Sequence, residues 1–349
     1  MTVTASKRMG TMAQSSLRVN MEMVAQEAGI SRATVSRVLS GDTEIVKEST
    51  RDRVLEAAHR LGYVRNAAAT QLAMKTSTTV GLLLRETMNP AYGYLHDCLL
   101  DNLHARQLFV TTMSAGRRHF GDGEAGHLRR LLSLRPGGIF VCSGLIDSAD
   151  IVPVASQMPT IVLPRPESAE GLCNFAYDEQ VHGEMIAKAV VEAGHRQVAV
   201  VTTEVSESST EALRARAIAH TLSELGVQII PIEGKALIND ADALGQRVIE
   251  GIRQRQFTAL MFPNDRRALR FMIFAQKHGI SIPEDLAVTG LDGLGQATQV
   301  SGLTTVRVPL EQVCERAVEH MCQAIRHPDQ QMEIVQERFI GDLIRGRTI

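Results

Sequence analysis

From residue 78 onward, short β-branched runs alternate with amphipathic stretches, and this alternation limits what the chain can fold into. The runs are TTVGLLL (78–84), LFVTTMS (108–114), GGIFVCS (137–143), PTIVLP (159–164), QVAVVTT (197–203), VQIIPIEG (227–234), TALMFPN (258–264) and LAVTGLD (286–292). Helical stretches lie between them at 92–106, 122–134, 179–193, 209–225, 240–255 and 266–278. Strand–helix alternation of this length predicts parallel sheets covered by helices on both faces. Eight strands are too many for one such sheet here, and the polar, Gly-containing stretch around Tyr177–Gly183 reads as a crossover between two similar lobes. Ligands bind such sheets at the carboxyl ends of the strands, so a cleft between the lobes is the expected site.

The first 64 residues have a different rhythm. Asn20 can cap a helix MEMVAQEA that Gly29 ends, and Ser31 can cap RATVSRVLS before Gly41. A third helix runs from Glu48 to Leu61 and ends at Gly62. Met23, Val24, Ala28, Ile30, Val35, Val38, Leu39, Val54, Leu55, Ala58 and Leu61 have helical spacing and supply a small core. Residues 1–18 read as a disordered leader without the apolar stretch of a secretory signal, and Met9, Met12 and Met21 are alternative starts. Charge is uneven. Residues 1–75 hold 11 Lys/Arg against 7 Asp/Glu, so they carry +4, and the other 274 residues carry −6. A basic end on an acidic body suits a polyanionic partner.

The sharpest local signal is AGISRATVSRVLSG, residues 28–41. A tight Gly29–Ile30 turn joins two helices, and the second turns Arg32, Ala33, Ser36 and Arg37 outward while Val35, Val38 and Leu39 face the core. In a helix-turn-helix that second helix lies in the major groove. Arg can pair with guanine O6 and N7, and Ser31 and Ser36 suit phosphate oxygens. A surface hairpin with solvated arginines fits the same spacing.

The segment resembles the LacI/GalR family of transcriptional regulators, whose A-G-V-S-x-x-T-V-S-R-V-L is matched from Ala28 to Leu39. The third helix matches through STRDRVLEAAHRLGY (49–63), with Lys47 where the family has a Ser. The resemblance covers residues 20 to about 340. It implies an α/β chain: an N-terminal all-α helix-turn-helix (19–65) with a hinge helix (66–77), then an effector-binding domain (78–349) of two doubly wound parallel-sheet lobes like those of periplasmic binding proteins. The first lobe would take 78–177 and 306–332, the second 178–303 and 335–345. The implied DNA contacts are Ser31, Arg32, Ala33, Thr34, Ser36 and Arg37, with Asn66, Ala69, Leu72 and Ala73 from NAAATQLAMK (66–75). A ten-residue Ala-rich helix is unstable alone and can order when two copies pack in a minor groove. Leu72 stands where the family has its wedge between base steps, and Arg65 replaces the usual Pro. Read without the family, the segment is an ordinary linker helix.

The same resemblance locates a sensor. NPAYGYL (89–95) matches the loop after the first strand, with Ala91 at its first aromatic. ALRARAIAHTLSELG (212–226) matches the segment with an effector-binding arginine, which falls at Arg214 or, in another register, Arg216. FPND (262–265) and VTGLDG (288–293) give Asn264 and Asp292, with Gly293 in place of a second acid. Tyr92, Asp178 and Thr210 complete the implied effector set. Arg, Asn and Asp together suit hydroxyl-rich ligands; Asn264 and Asp292 also read as turn or cap residues. The chain has no Trp, residues 236–242 lack a stacking aromatic, and the usual Asn after Asp178 is Glu179, so a conventional hexose does not follow.

No run approaches the ~18 apolar residues of a membrane helix. Cys98, Cys142, Cys173, Cys314 and Cys322 are odd in number with no CxxC, which predicts neither metal nor disulfides and suits a reducing cytoplasm. No GxGxxG, P-loop or catalytic set occurs, so neither an enzyme nor a cofactor is expected. A solute-binding protein on the same scaffold would need a secretion signal and no DNA module. The expected partners are pseudo-palindromic operator DNA, a second copy of the chain, with dimers able to pair further, and a sugar, polyol, sugar acid or nucleoside. The ending FIGDLIRGRTI has no heptads for a zipper tetramer.

Overall fold

The computed structural model describes residues 19–40, 46–64, 77–87, 89–114, 123–206, 208–234 and 241–349. Asn66, Ala69, Leu72 and Ala73, and most of the 236–242 loop, lie outside the described residues. The chain divides into two compact units, Met1–Lys75 and Thr76–Ile349.

The first unit holds α1 (Met21–Ala28), α2 (Arg32–Ser40) and α3 (Glu48–Leu61). The Asn20 side chain accepts from the Met23 N–H at 3.0 Å, and Gly29 ends α1 at φ 63°. The Ser31 hydroxyl accepts from the Thr34 N–H at 3.3 Å. Lys47, at the cap of α3, offers no side-chain acceptor, and Gly62 closes that helix at φ 63°. The core is Val24, Ala25, Ala28, Val35, Val38, Val54, Ala57 and Ala58. Leu55 is corrected: it is 48% exposed. The buried stripe of α3 runs through Val54, Ala57 and Ala58, and one residue further on the helix has turned about 100° toward water. Met23 is only half-buried.

The second unit opens with β1 (Thr79–Leu84), α4 (Pro90–His104), β2 (Phe109–Ser114), α5 (Gly123–Ser133), β3 (Gly138–Cys142), α6 (Ser148–Ala155), β4 (Thr160–Val162) and β5 (Cys173–Tyr177). It continues with α7 (Glu179–Glu192), β6 (Gln197–Thr202), α8 (Ser209–Glu224), β7 (Gln228–Glu233), α9 (Ala241–Arg253), β8 (Ala259–Met261), α10 (Asp265–Lys277) and β9 (Ala287–Thr289). Then follow α11 (Gln296–Ser301), β10 (Thr305–Arg307), α12 (Leu310–Arg326), β11 (Gln336–Phe339) and β12 (Asp342–Ile344).

Two parallel sheets result, in the orders β11-β5-β4-β3-β1-β2 and β7-β6-β8-β9. Helices cover both faces of each, as continuous apolar strands such as Val80–Leu84 require. One apolar core runs through both lobes, joined by Tyr177, Leu291, Val306 and Val308, and separate clusters fill the outer face of each sheet. The chain passes between the lobes at Asp178, after Arg307 and after Phe339; β10 and β12 pair antiparallel beside these crossings. The assignment of 335–345 to the second lobe is corrected, because Gln336–Phe339 pairs with Asn174–Tyr177 in the first sheet. Phe339 reaches the core, but Gln336 and Arg338 are exposed. Such a mixed pattern shows an edge strand only once its neighbour is known.

Truncating Val54 to Ala should lower the local stability of the three-helix unit by about 2 kcal/mol. Leu55→Ala should change it by less than about 0.5 kcal/mol. Native-state hydrogen exchange at the Val24 and Val35 amides measures both.

Candidate functional site

On α2, Arg32, Ala33, Ser36 and Arg37 are exposed and Thr34 is half-buried. The Ser31 and Thr34 hydroxyls bond each other at 2.9 Å, so both are oriented by the start of the helix. The exposed side chains share one polar face because Val35 and Val38 hold the other face in the core.

Between the two lobes lies a cleft with about 870 Å³ of empty space, open to solvent at its mouth. It sits at the carboxyl ends of the strands, where three helices begin. The cap residues Asn89, Ser208 and Asn264 all line it. Tyr92, Thr210, Arg214, Asn264 and Asp292 converge on this cleft. Asn264 lines the wall, and its side-chain oxygen accepts from the Arg267 N–H at 2.9 Å.

Arg214 is the centre of the cleft floor and is only 4% exposed. Its Nε donates to Glu179 Oε2 at 2.7 Å, and its Nη1 donates to Asp292 Oδ1 at 2.7 Å and to the Pro263 carbonyl at 3.2 Å. Burial opposes the charge on Arg214, but the two carboxylates outweigh it and hold the guanidinium firmly protonated. Burial would raise Glu179, yet Arg214 and the neighbouring His182 pull its carboxyl below the usual range. For Asp292 the balance goes the other way. Burial pushes it up, Arg214 pulls it down, and the nearby Asp265 adds repulsion, leaving it at about 7. Asp292 also sits at φ 148°, a conformation that L-residues seldom adopt and that clusters at ligand clamps. Backbone bonds hold it there: its N–H donates to Val306 O at 3.1 Å, and its carbonyl accepts from Val308 N–H at 3.0 Å.

Beneath this group His182 is fully buried and its Nε2 accepts from the Gly341 N–H at 2.8 Å. The ring proton is therefore on Nδ1. That nitrogen is 3.7 Å from Glu179 Oε2, and neither it nor Glu179 Oε1 has a hydrogen-bond partner among the described residues.

Two of the residues considered from sequence are not at the wall. Asp178 accepts from the Val181 N–H at 3.0 Å and caps α7. Arg216, the other register, is exposed and donates to the Ala212 carbonyl at 3.2 Å. The residues that sequence reasoning missed are charged pairs. Arg267 meets Glu211 at 2.8 Å, Arg165 meets Glu167 at 2.7 Å, and Arg266 bonds Glu86 across the cleft at 3.4 Å. Glu179 was visible as a departure after Asp178, but nothing local pointed to its partner. Asp265 is buried and bonds Thr305, Gly293 and Thr298, which fixes the loop carrying Asp292. Among the described residues no cluster suited to a metal ion occurs, and no helix is long and apolar enough to cross a membrane.

Comparison with known proteins agrees with this geometry. Residues 20–66 match the family model of bacterial regulatory proteins, lacI family, and residues 187–349 match that of the periplasmic binding protein-like domain. Catabolite control protein A of Priestia megaterium is 28% identical over 299 residues, 84% of this chain and 89% of that protein. HTH-type transcriptional repressor PurR of Vibrio cholerae is 26% identical over 336 residues, 93% of this chain and 98% of that protein. In fold, the chain is similar to the lac repressor dimer bound to operator and the anti-inducer ONPF, with a TM-score of 0.77 at 22% identity, covering 95% of this chain and 98% of that one.

The raised Asp292 carboxyl has a consequence for stability. Between the ordinary carboxylate range and about pH 7 the folded protein keeps a proton that the unfolded chain releases, so this group's contribution falls as pH rises through that window and is flat above it. Asp292→Asn removes the dependence. The melting temperature of wild type relative to the variant should therefore decline from pH 5 to about pH 7 and then level off, as read by calorimetry in matched buffers.

Proposed function

Because the chain belongs to the LacI/GalR family of transcriptional regulators, we propose that it is a dimeric repressor whose hold on its operator is set by a small molecule bound between the two lobes. DNA-binding repression is the activity of the family. The observation that carries the switch is the convergence of Tyr92 from the first lobe with Thr210, Arg214, Asn264 and Asp292 from the second on one cleft. A ligand that touches both walls binds one closure state better than another, and shifts the DNA-competent population by that difference in affinity. We assign the bistable role to residues 66–75, whose ten-residue Ala-rich sequence is too short for a helix that is stable alone.

Operator reading falls to α2, with Arg32 and Arg37 at base edges and Ser31, Thr34 and Ser36 on phosphates, and with Ala33 against the groove floor. Asn66, Ala69, Leu72 and Ala73 take the minor groove. A dimer matches two half-sites. The reading is of a protein that does no chemistry and holds no metal or cofactor, and that works in the cytoplasm.

Replacing Arg37 by Ala should cost about 1–3 kcal/mol in operator affinity and relax preference at one base pair. A neutral phosphate-contact variant such as Ser36→Ala should weaken all sequences alike and leave the salt slope unchanged, whereas loss of the Arg37 cation flattens it. Binding to a randomised duplex library at two salt concentrations separates the two. The switch is tested by Asn264→Ser, which keeps a helix-capping oxygen and removes the amide. It should weaken the ligand response while operator affinity without ligand stays near wild type. Operator titrations against a panel of sugars, polyols and nucleosides decide this, and an unchanged response would place the ligand elsewhere.

A further inference from the structure

The charge arrangement of the cleft goes beyond its role as a sensor and bears on what it accepts. Five arginines line it: Arg85, Arg165, Arg214, Arg266 and Arg267. A surface with five guanidiniums would ordinarily capture an acid or a phosphate. Here carboxylates of the chain already match them. Glu86, Glu211 and Asp292 lie on the wall, and Glu167 and Glu179 stand directly behind it on Arg165 and Arg214. With Asp292 ionised, five negative side chains face the five positive ones, so the side chains of the lining carry no net charge for a ligand to neutralise.

The balance is tightest at Arg214. The planar fork that would grip a carboxylate through two parallel N–H bonds has given Nε to Glu179 and Nη1 to Asp292. Glu179 is 3% exposed and cannot swing out into water when a ligand arrives. With both acids ionised the Glu179–Arg214–Asp292 group carries −1, and with Asp292 protonated it carries zero. In neither state is it positive. An incoming anion would meet either a negative floor that repels it or a neutral one that leaves its lost hydration uncompensated. A hydroxyl group fits the same floor well. It can donate to the second Asp292 oxygen, accept from Arg214 Nη2, and bond the Asn264 amide and the Tyr92 hydroxyl.

We propose that the cleft takes an uncharged, hydroxyl-rich ligand, a neutral sugar or polyol, and that Glu179 is the specificity-determining residue that excludes sugar acids. The inference rests on the cleft being the effector site and narrows the ligand class within that reading. Removing the Glu179 charge without its bulk leaves the floor neutral or positive and frees Arg214 to accept an anion.

The test compares the full-length wild type with Glu179→Gln and Glu179→Asn, the second guarding against misfolding of the first. Thermal unfolding is followed with sodium gluconate and sodium galacturonate, with galactose and sorbitol as neutral probes, at constant ionic strength. Wild type should show no shift with either acid. A folded Glu179 variant should be stabilised by at least one of them, with half-saturation about tenfold or more below any residual wild-type response. Stabilisation of wild type by an acid, lost on Asn264→Ser, would overturn the proposal, and so would folded variants that remain deaf to both acids. A probe whose effect on wild type survives Asn264→Ser binds outside the cleft, and that result sinks the cleft as sensor rather than the charge balance alone.

Discussion

The second unit is organised around one buried cation. Arg214, projected from α8, is held between Glu179 at the start of α7 and Asp292 after β9, with the Pro263 carbonyl completing its shell. Three segments far apart in the chain therefore meet at a single guanidinium. Burying such charges is costly, and their attraction repays the cost only with good geometry and full hydrogen bonding. Losing one member of a buried pair typically costs about 3–5 kcal/mol, because the partner is left charged and unsolvated. The group is thus a poor source of net stability and a strict specifier of geometry. The floor of the cleft, the loop that carries Asp292 and the start of α7 all meet at that cation.

Much of this was legible from local sequence. The caps Asn20 and Gly29 and the apolar spacing of Val35 and Val38 delimit the helix-turn-helix, because capping and helical periodicity act within a few residues. The alternation of β-branched runs and helices gave the two sheets for the same reason. Arg214 was separable from Arg216 only by the family register; the structure adds the physical cause, since one faces the core of the lobe and the other faces water.

The parts that were not legible depend on partners far away. Glu179 and Arg214 are 35 residues apart, and Arg266 and Glu86 are 180 apart. Nothing in the local sequence of a glutamate distinguishes one that will lie on a solvated helix face from one that will neutralise a buried arginine. Asp178 and Glu179 make the point side by side. The first satisfies a helix N-terminus, as short acids do anywhere, and the second reaches under the cleft. The strand Gln336–Phe339 was hidden in the same way, since its own residues do not show which sheet it joins until β5 is beside it.

The place of that strand in the chain also sets an order of assembly. All four strands of the second sheet come from one continuous stretch, residues 197–289. The first sheet begins earlier but is not closed until Gln336–Phe339 joins its edge, and α4 is not covered until α12, Leu310–Arg326, packs on it. A chain released from the ribosome N-terminus first therefore completes its later sheet before its earlier one. Through that interval β5 presents an unpaired edge, a template on which another nascent chain can add a strand. The last few dozen residues thus act as the lobe's own protective strap, and a truncated product would leave the ribosome with that edge bare.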